Sequence, residues 1–226
     1  MEVLVPFSTD RPKSRLSAIL DSAERAAFAR TMLADVLDTV VAAGGDPRVL
    51  ATGPIDPAID CPVEIDDRPL TRAVNAALSD RRAAADRPVG IVMADLAIAT
   101  PSALGDLFDA VERSVDVSIA PGRGGGTNAL AVDHDEFRVD YHGASYRDHR
   151  RIADEVDATV GVIDSHRLAT DIDEPADLAE VLIHGDGAAA AWLRDAGIDL
   201  ADDGGRVGVA RVEDGNDASI RDRDPF

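Results

Sequence analysis

Three cations fall within five residues at Arg11-Pro12-Lys13-Ser14-Arg15. Such a cluster can hold a polyphosphate, lysine acting as a point charge and arginine as a planar fork. Lys13 is also the single lysine of the chain, against 22 arginines. A lysine kept where all others are gone suggests a task that arginine does not perform. Asp95 closes the apolar run Val89-Gly90-Ile91-Val92-Met93. An aspartate at the end of a buried strand is well placed to hold a magnesium ion and substrate phosphates, or else simply to make a turn. Asp173 could add a second carboxylate to that ion, with Asp171 two residues earlier as the alternative. Taken alone, the same segment reads more readily as a helix start, with Pro175 in the first turn and Asp177 favourable to the helix dipole.

Gly122-Arg123-Gly124-Gly125-Gly126-Thr127 is a glycine loop whose freed amides could cradle an anion, Thr127 adding a hydroxyl. A plain glycine turn is the competing reading. It leads into the strand-like Asn128-Ala-Leu-Ala-Val, so it matches neither a Walker A loop nor a dinucleotide fingerprint. The histidines at 134, 142, 149, 166 and 184 show no zinc-ligand spacing, and no Gly-x-Ser-x-Gly elbow occurs. Cys61 is the one cysteine, which excludes an internal disulfide and a cysteine-rich metal site.

Alternating strands and helices must position these residues. Residues 2–7, 48–52, 62–65, 89–93, 117–120, 128–132 and 159–163 read as strands, continuous in apolar residues where both faces are covered. Helices are expected at about 22–43, 70–85, 100–112, 146–155 and 175–183. Thr100 is a suitable cap and Pro101 suits a first turn. The pattern predicts one α/β sheet, mostly parallel, with helices on both faces and ligands beyond the carboxyl ends of its strands. The domain is placed at 1–196. The Asp- and Gly-rich remainder, 197–226, reads as an acidic extension with one strand near 206–212.

Composition bounds the partners. The chain has 226 residues, 43 acidic against 23 basic, for a net charge of −20. That excess argues against nucleic acid and anionic membrane, both of which it would repel. No run approaches the ~18 apolar residues of a membrane span, and no basic-then-apolar leader is present, so a cytoplasmic protein is expected. The carboxylates are spread from Asp10 to Asp224 rather than blocked, as befits a salt-rich cytoplasm whose ions screen self-repulsion.

In order along the chain, several segments resemble the 2-phospho-L-lactate guanylyltransferases of coenzyme F(420) biosynthesis, particularly the archaeal branch. They are Val5-Pro6-Phe7 with Lys13-Ser14-Arg15-Leu16-Ser17, the Glu24-Arg25…Met32-Leu33-Ala34-Asp35-Val36-Leu37 helix, Asn75-Ala76-Ala77-Leu78 and Asp95-Leu96. Gly126-Thr127-Asn128-Ala129-Leu130, Ser145…His149 and Asp171 through Leu178 follow, the first of these being the most specific. The resemblance implies a single-domain nucleotidyltransferase-like fold of the nucleotide-diphospho-sugar transferase type. It implies transfer of GMP from GTP to a phosphorylated three-carbon acid, with release of pyrophosphate, in a homodimer. By the same comparison Lys13 and Arg15 bind the GTP phosphates, with Arg11 and Asn75 in the nucleotide-binding set, while Asp95 and Asp173 hold Mg²⁺. Thr127, Ser145 and the backbone at His142 would bind the acid. Glycine usually stands at position 142, and Ser8-Thr9-Asp10 replaces the fuller glycine loop of related enzymes. Another nucleotidyltransferase, such as a molybdenum-cofactor guanylyltransferase, and a non-catalytic nucleotide-binding protein are the alternatives.

Overall fold

The computed structural model describes residues 1–57, 59–84, 87–203 and 205–212. A seven-stranded sheet forms the centre. Its strands are β1 (Glu2–Phe7), β2 (Asp46–Ala51), β3 (Val63–Ile65), β4 (Val89–Val92), β5 (Val117–Pro121), β6 (Thr127–Val132) and β7 (Val160–Val162). Their spatial order is β3-β2-β1-β4-β6-β5-β7. Every pairing is parallel except those of β6, which runs antiparallel to both β4 and β5.

Side chains alternate across the sheet with the period of two that a strand dictates. Val3, Val5 and Phe7 of β1 and Ala129 and Ala131 of β6 enter one core, while Leu4, Leu130 and Val132 enter the other. The first core is covered by α1 (Ser22–Ala42), α3 (Pro101–Arg113), the short α5 (His166–Ala169), α6 (Pro175–His184) and α7 (Ala188–Asp195). The second is covered by α2 (Leu70–Ala84) and α4 (Ser145–Glu155).

Local sequence explains the main helices. Asp21 caps α1, its carboxylate accepting from the amides of Ala23 and Glu24 while Glu24 accepts from the amide of Asp21. This reciprocal box satisfies amides that a helix start leaves unpaired. Phe28, Met32, Leu33, Val36 and Val40 then recur at helical spacing and are fully buried. Each is worth roughly 1.5–3 kcal/mol of transfer free energy. Thr100 caps α3 through the amide of Ala103, with Pro101 opening the helix.

The structure adds elements that the sequence reading lacks. A 3-10 turn covers Ser14–Ala18, and α5 and α7 are extra helices. Beyond Gly197 there are two strands, β8 (Ile198–Asp203) and β9 (Arg206–Arg211), paired antiparallel. This hairpin is docked on the body: Ile198 is buried, Val209 packs on the first core, and Arg211 pairs with Glu24 at 2.8 Å. The part of the expected extension from 213 to 226, and the expected helix end at Ala85, lie outside the described residues. No helix among the described residues is long and apolar enough to cross a membrane.

β1 is central, with β2 on one side and β4 on the other. The chain winds outward from β1 to β3 and returns through α2 to β4, so successive connections diverge on either side of β1. At such a switch point the loops beyond the strand ends part and leave a crevice. The loops following β1 and β4 meet there.

Candidate active site

After β1 the chain turns through two non-glycine residues in left-handed conformation, Arg11 (φ 41°) and Lys13 (φ 54°). That conformation crowds Cβ and is adopted at a cost of about 1–2 kcal/mol per residue. Here it lifts Lys13 off the start of the 3-10 turn and sends its ammonium between two carboxylates. Nζ donates to Asp95 Oδ2 at 2.6 Å and to Asp173 Oδ1 at 2.7 Å. Arg15 Nη1 approaches the other oxygen of Asp173 at 3.6 Å from an exposed position. Burial alone would pull the Lys13 ammonium down, but Asp95 and Asp173 outweigh it and its pKa is raised. Burial raises the Asp95 carboxyl above the usual carboxylate range, partly offset by Lys13 and reinforced by Asp173 and Asp171.

Asp95, Asp171 and Asp173 present one carboxylate oxygen each, all within 4.8 Å of one another. Asp95 Oδ1 is buried and has no hydrogen-bond partner among the described residues. A buried carboxylate oxygen left unpaired is costly, and a hard divalent cation takes oxygen ligands of this type. The residues therefore fit a divalent metal ion. Asp171 is steadied by Asn128, whose Nδ2 donates to its Oδ1 at 3.2 Å and to the carbonyl of Leu168 at 2.9 Å. The amide of Ile172 donates to the carbonyl of Asp95 at 3.1 Å, locking the 170–174 segment against the end of β4. Asp177 accepts from the amides of Asp173 and Glu174 and from Arg123, so the helix-start reading of this segment holds alongside the carboxylate one.

A cavity of ≈ 190 Å³ opens over this cluster, lined by Phe7, Ser8, Lys13, Met93, Asp95 and Asp173 among others. A second, of ≈ 230 Å³, shares the Pro6–Ser8 and Met93 wall and continues past Leu50, Thr52, Asp66, Arg68 and Ala73. Asp66 and Arg68, paired side chain to side chain, were not singled out from sequence. Only the topology brings the end of β3 to the same edge of the sheet as the end of β1, with β2 between them.

The glycine loop joins β5 to the antiparallel β6. The amides of Gly122, Arg123 and Gly125 donate to Gly126, Ala169 and Gly122, so the expected anion cradle is largely consumed within the fold. What the loop supplies is room. A Cβ on Gly122 would lie 2.5 Å from Asn128 Oδ1. Thr127, 4% exposed, contacts His149 Nδ1 at 2.9 Å through its hydroxyl. The amide of Asp140 donates to His149 Nε2 at 2.9 Å, which makes Nε2 the acceptor and leaves the proton on Nδ1. His149 therefore donates to Thr127, and the hydroxyl keeps its own proton to give elsewhere. Burial lowers the His149 pKa to about 4, so the ring is neutral near neutrality.

The remaining expected residues fall in three places. Ser145 is buried at the first turn of α4, beside Tyr146, whose amide donates to the carbonyl of Gly125. His142 is largely exposed and pairs with Asp140. Asn75 spends both ends of its amide on the backbone of Val139, at 2.9 Å each, so its visible task is holding the segment before His142. Arg11 is exposed and contacts Asp10 at 3.6 Å.

A family model described as guanylyl transferase CofC like matches residues 1–213. The 2-phospho-L-lactate guanylyltransferase of Halorubrum lacusprofundi is 66% identical over 93% of this chain and 100% of its own length. The protein of the same name from Halomicrobium mukohataei is 60% identical, again over 93% of this chain and 100% of its own. Among solved structures, a chain from Desulfovibrio desulfuricans G20 assigned to the nucleotide-diphospho-sugar transferases superposes with a TM-score of 0.72, over 86% of this chain and 94% of that one, at 12% identity. That likeness shows a nucleotidyltransferase-like α/β fold.

Proposed function

The chain belongs to the family of CofC-like guanylyl transferases, and from that premise we propose that it transfers GMP from GTP to 2-phospho-L-lactate. A related phosphorylated three-carbon acid such as phosphoenolpyruvate is the variant acceptor. A phosphate oxygen of the acid attacks the α-phosphorus of GTP, the bond from that phosphorus to the β-phosphate oxygen breaks, and pyrophosphate leaves. The observation that carries this reading is the convergence of Lys13 on Asp95 and Asp173 where the ends of β1 and β4 meet.

The attacking oxygen is already anionic, so no strong general base is needed. The task is to bring two anions together and neutralise the charge that develops. Lys13 and Arg15 are the groups that bind the triphosphate, with Arg11 reaching from the exposed rim. Asp95 and Asp173, with Asp171 beside them, hold Mg²⁺. That ion, held by these carboxylates, would supply Lewis-acid charge neutralisation for the phosphate oxygens. The cavity running past Leu50, Asp66 and Ala73 is the room for nucleoside, and Asn75, in the nucleotide-binding set, clamps the backbone of Val139. Thr127, Ser145 and the backbone at His142 receive the acid, Thr127 offering the proton that His149 does not take up.

The same reading includes the homodimer that the family resemblance implies, a cytoplasmic location, and a salt-adapted protein, the last supported by a net charge of −20 and by relatives from haloarchaea. A molybdenum-cofactor guanylyltransferase is not favoured, since relatives at 46–66% identity carry the 2-phospho-L-lactate name. The test is pyrophosphate release from GTP and Mg²⁺ in high potassium chloride, with 2-phospho-L-lactate, phosphoenolpyruvate and 3-phosphoglycerate supplied separately. Turnover with the first or second supports the reading; none with any of the three removes it.

A further inference from the structure

A second group of ligand-type side chains lies apart from the carboxylate cluster. His166 on α5 and His184 on α6 both aim Nε2 at one oxygen of Glu180, at 3.3 and 3.5 Å. Glu180 and His184 are four residues apart on α6 and so share its face. The two rings meet edge to face with centroids 5.4 Å apart, and all three ligand atoms lie within 4.8 Å of one another. Neither imidazole contact to the carboxylate has hydrogen-bond geometry.

These separations have a simple meaning. In a tetrahedral site with bonds of about 2.0–2.2 Å, neighbouring donor atoms stand roughly 3.3–3.5 Å apart. Two nitrogens and one carboxylate oxygen select a transition ion over Mg²⁺, which prefers an all-oxygen shell. The half-exposed His166 leaves the fourth position to water.

We propose that His166, Glu180 and His184 form a binding site for a divalent transition ion of the Zn²⁺ class, which staples α5 to α6. The consequence reaches the active site through the chain. The 170–174 segment, carrying Asp171 and Asp173, is the entire link between α5 and α6. Its start is already tied to α5 by the Thr170 hydroxyl donating to the carbonyl of His166 at 3.0 Å, and Arg167 donates to the carbonyl of His184. An ion joining the first residue of α5 to the second half of α6 closes a loop that contains the segment, four residues before it and six beyond it.

The test uses the full chain in excess Mg²⁺, which competes with Zn²⁺ for the three aspartates. Zn²⁺ is titrated by calorimetry and Co²⁺ by visible absorption, beside Glu180→Gln and the double variant His166→Gln/His184→Gln. All three side chains are partly exposed, so metal-free melting temperatures are expected to match the parent. The parent should bind one Zn²⁺ and give the intense ligand-field bands of four-coordinate Co²⁺. Glu180→Gln should weaken Zn²⁺ by at least about tenfold, and the double variant should lose it. Hydrogen exchange at the amides of Ile172, Asp173 and Glu174 should slow with Zn²⁺ in the parent alone. No binding by the parent at micromolar Zn²⁺, or equal binding by the double variant, overturns the site. Binding that leaves exchange of those amides unchanged overturns the staple.

Discussion

The Nδ1–H of His149 donates to the hydroxyl of Thr127 at 2.9 Å, because the amide of Asp140 occupies the other ring nitrogen. A hydroxyl that accepts from a fixed donor has its remaining proton directed. Replacing His149 by Phe should therefore raise the KM for the acid acceptor about tenfold or more while changing the KM for GTP little. His149→Asn, which keeps a donor near Nδ1, should recover part of the loss. Equal effects on both substrates would show that His149 is only packing against Phe137 and Tyr141.

The same histidine sets an acid limb of stability. Its pKa is lowered from 6.5 to about 4, so between those values the unfolded chain binds the proton and the folded chain does not. Stability is unaffected above pH 6.5 and falls as pH drops toward 4, by up to about 3 kcal/mol. Melting temperature against pH should show this slope in the parent and a flatter one in His149→Phe. Parallel curves would contradict the assignment.

Lys13 Nζ sits within 2.7 Å of two carboxylates, a gap that a guanidinium does not enter without displacing one of them. Lys13→Arg should therefore lower kcat/KM for pyrophosphate release by about a hundredfold or more, although the charge is kept. Near-parental kinetics would make the lone lysine an accident of composition.

Asp95→Asn should abolish turnover with the fold intact, since it replaces a carboxylate, one of whose oxygens is buried without a partner among the described residues, by a neutral amide. Asp173→Asn, on the more exposed carboxylate, should instead raise the Mg²⁺ concentration needed for half-maximal rate. Chelation should silence the parent, with Mg²⁺ restoring it. An active Asp95→Asn protein, read by pyrophosphate release and circular dichroism together, would remove Asp95 from the metal site.

Gly122→Ala forces a Cβ to within 2.5 Å of Asn128 Oδ1. Asn128 must then give up its contacts to Leu168 and Asp171, at a cost of about 1–3 kcal/mol. Differential scanning calorimetry should show a drop of roughly 2–4 °C per kcal/mol, with a weaker Mg²⁺ response through Asp171. An unchanged melting temperature would show that Asn128 moves without penalty.

Much of the architecture was legible because its causes are local. The strands of β1, β4 and β6 announce themselves as apolar runs, α1 by its apolar spacing and α3 by its cap. What was missed depends on distance. Helix α7 is an alanine run with no polar face to give a period, and its first amides, at Ala188 and Ala189, are capped by Asp35, 153 and 154 residues earlier. Strand β8 is hidden by its aspartates. Lys13, Asp95 and Asp173 were named by residue type and position, but the ammonium lying between the carboxylates joins residues 82 and 160 positions apart. The role of His149 needed the amide of Asp140, which no spacing rule supplies.

Placing the first strand at the middle of the sheet also orders events during synthesis. Lys13 leaves the ribosome early, yet its second carboxylate arrives only with residue 173, after β1 has already been enclosed by β2 and β4. Contacts of such long sequence separation close late. The emerging chain thus carries all seven strands of the sheet before it can grip a nucleotide, and a product released before residue 171 lacks two of the three clustered carboxylates.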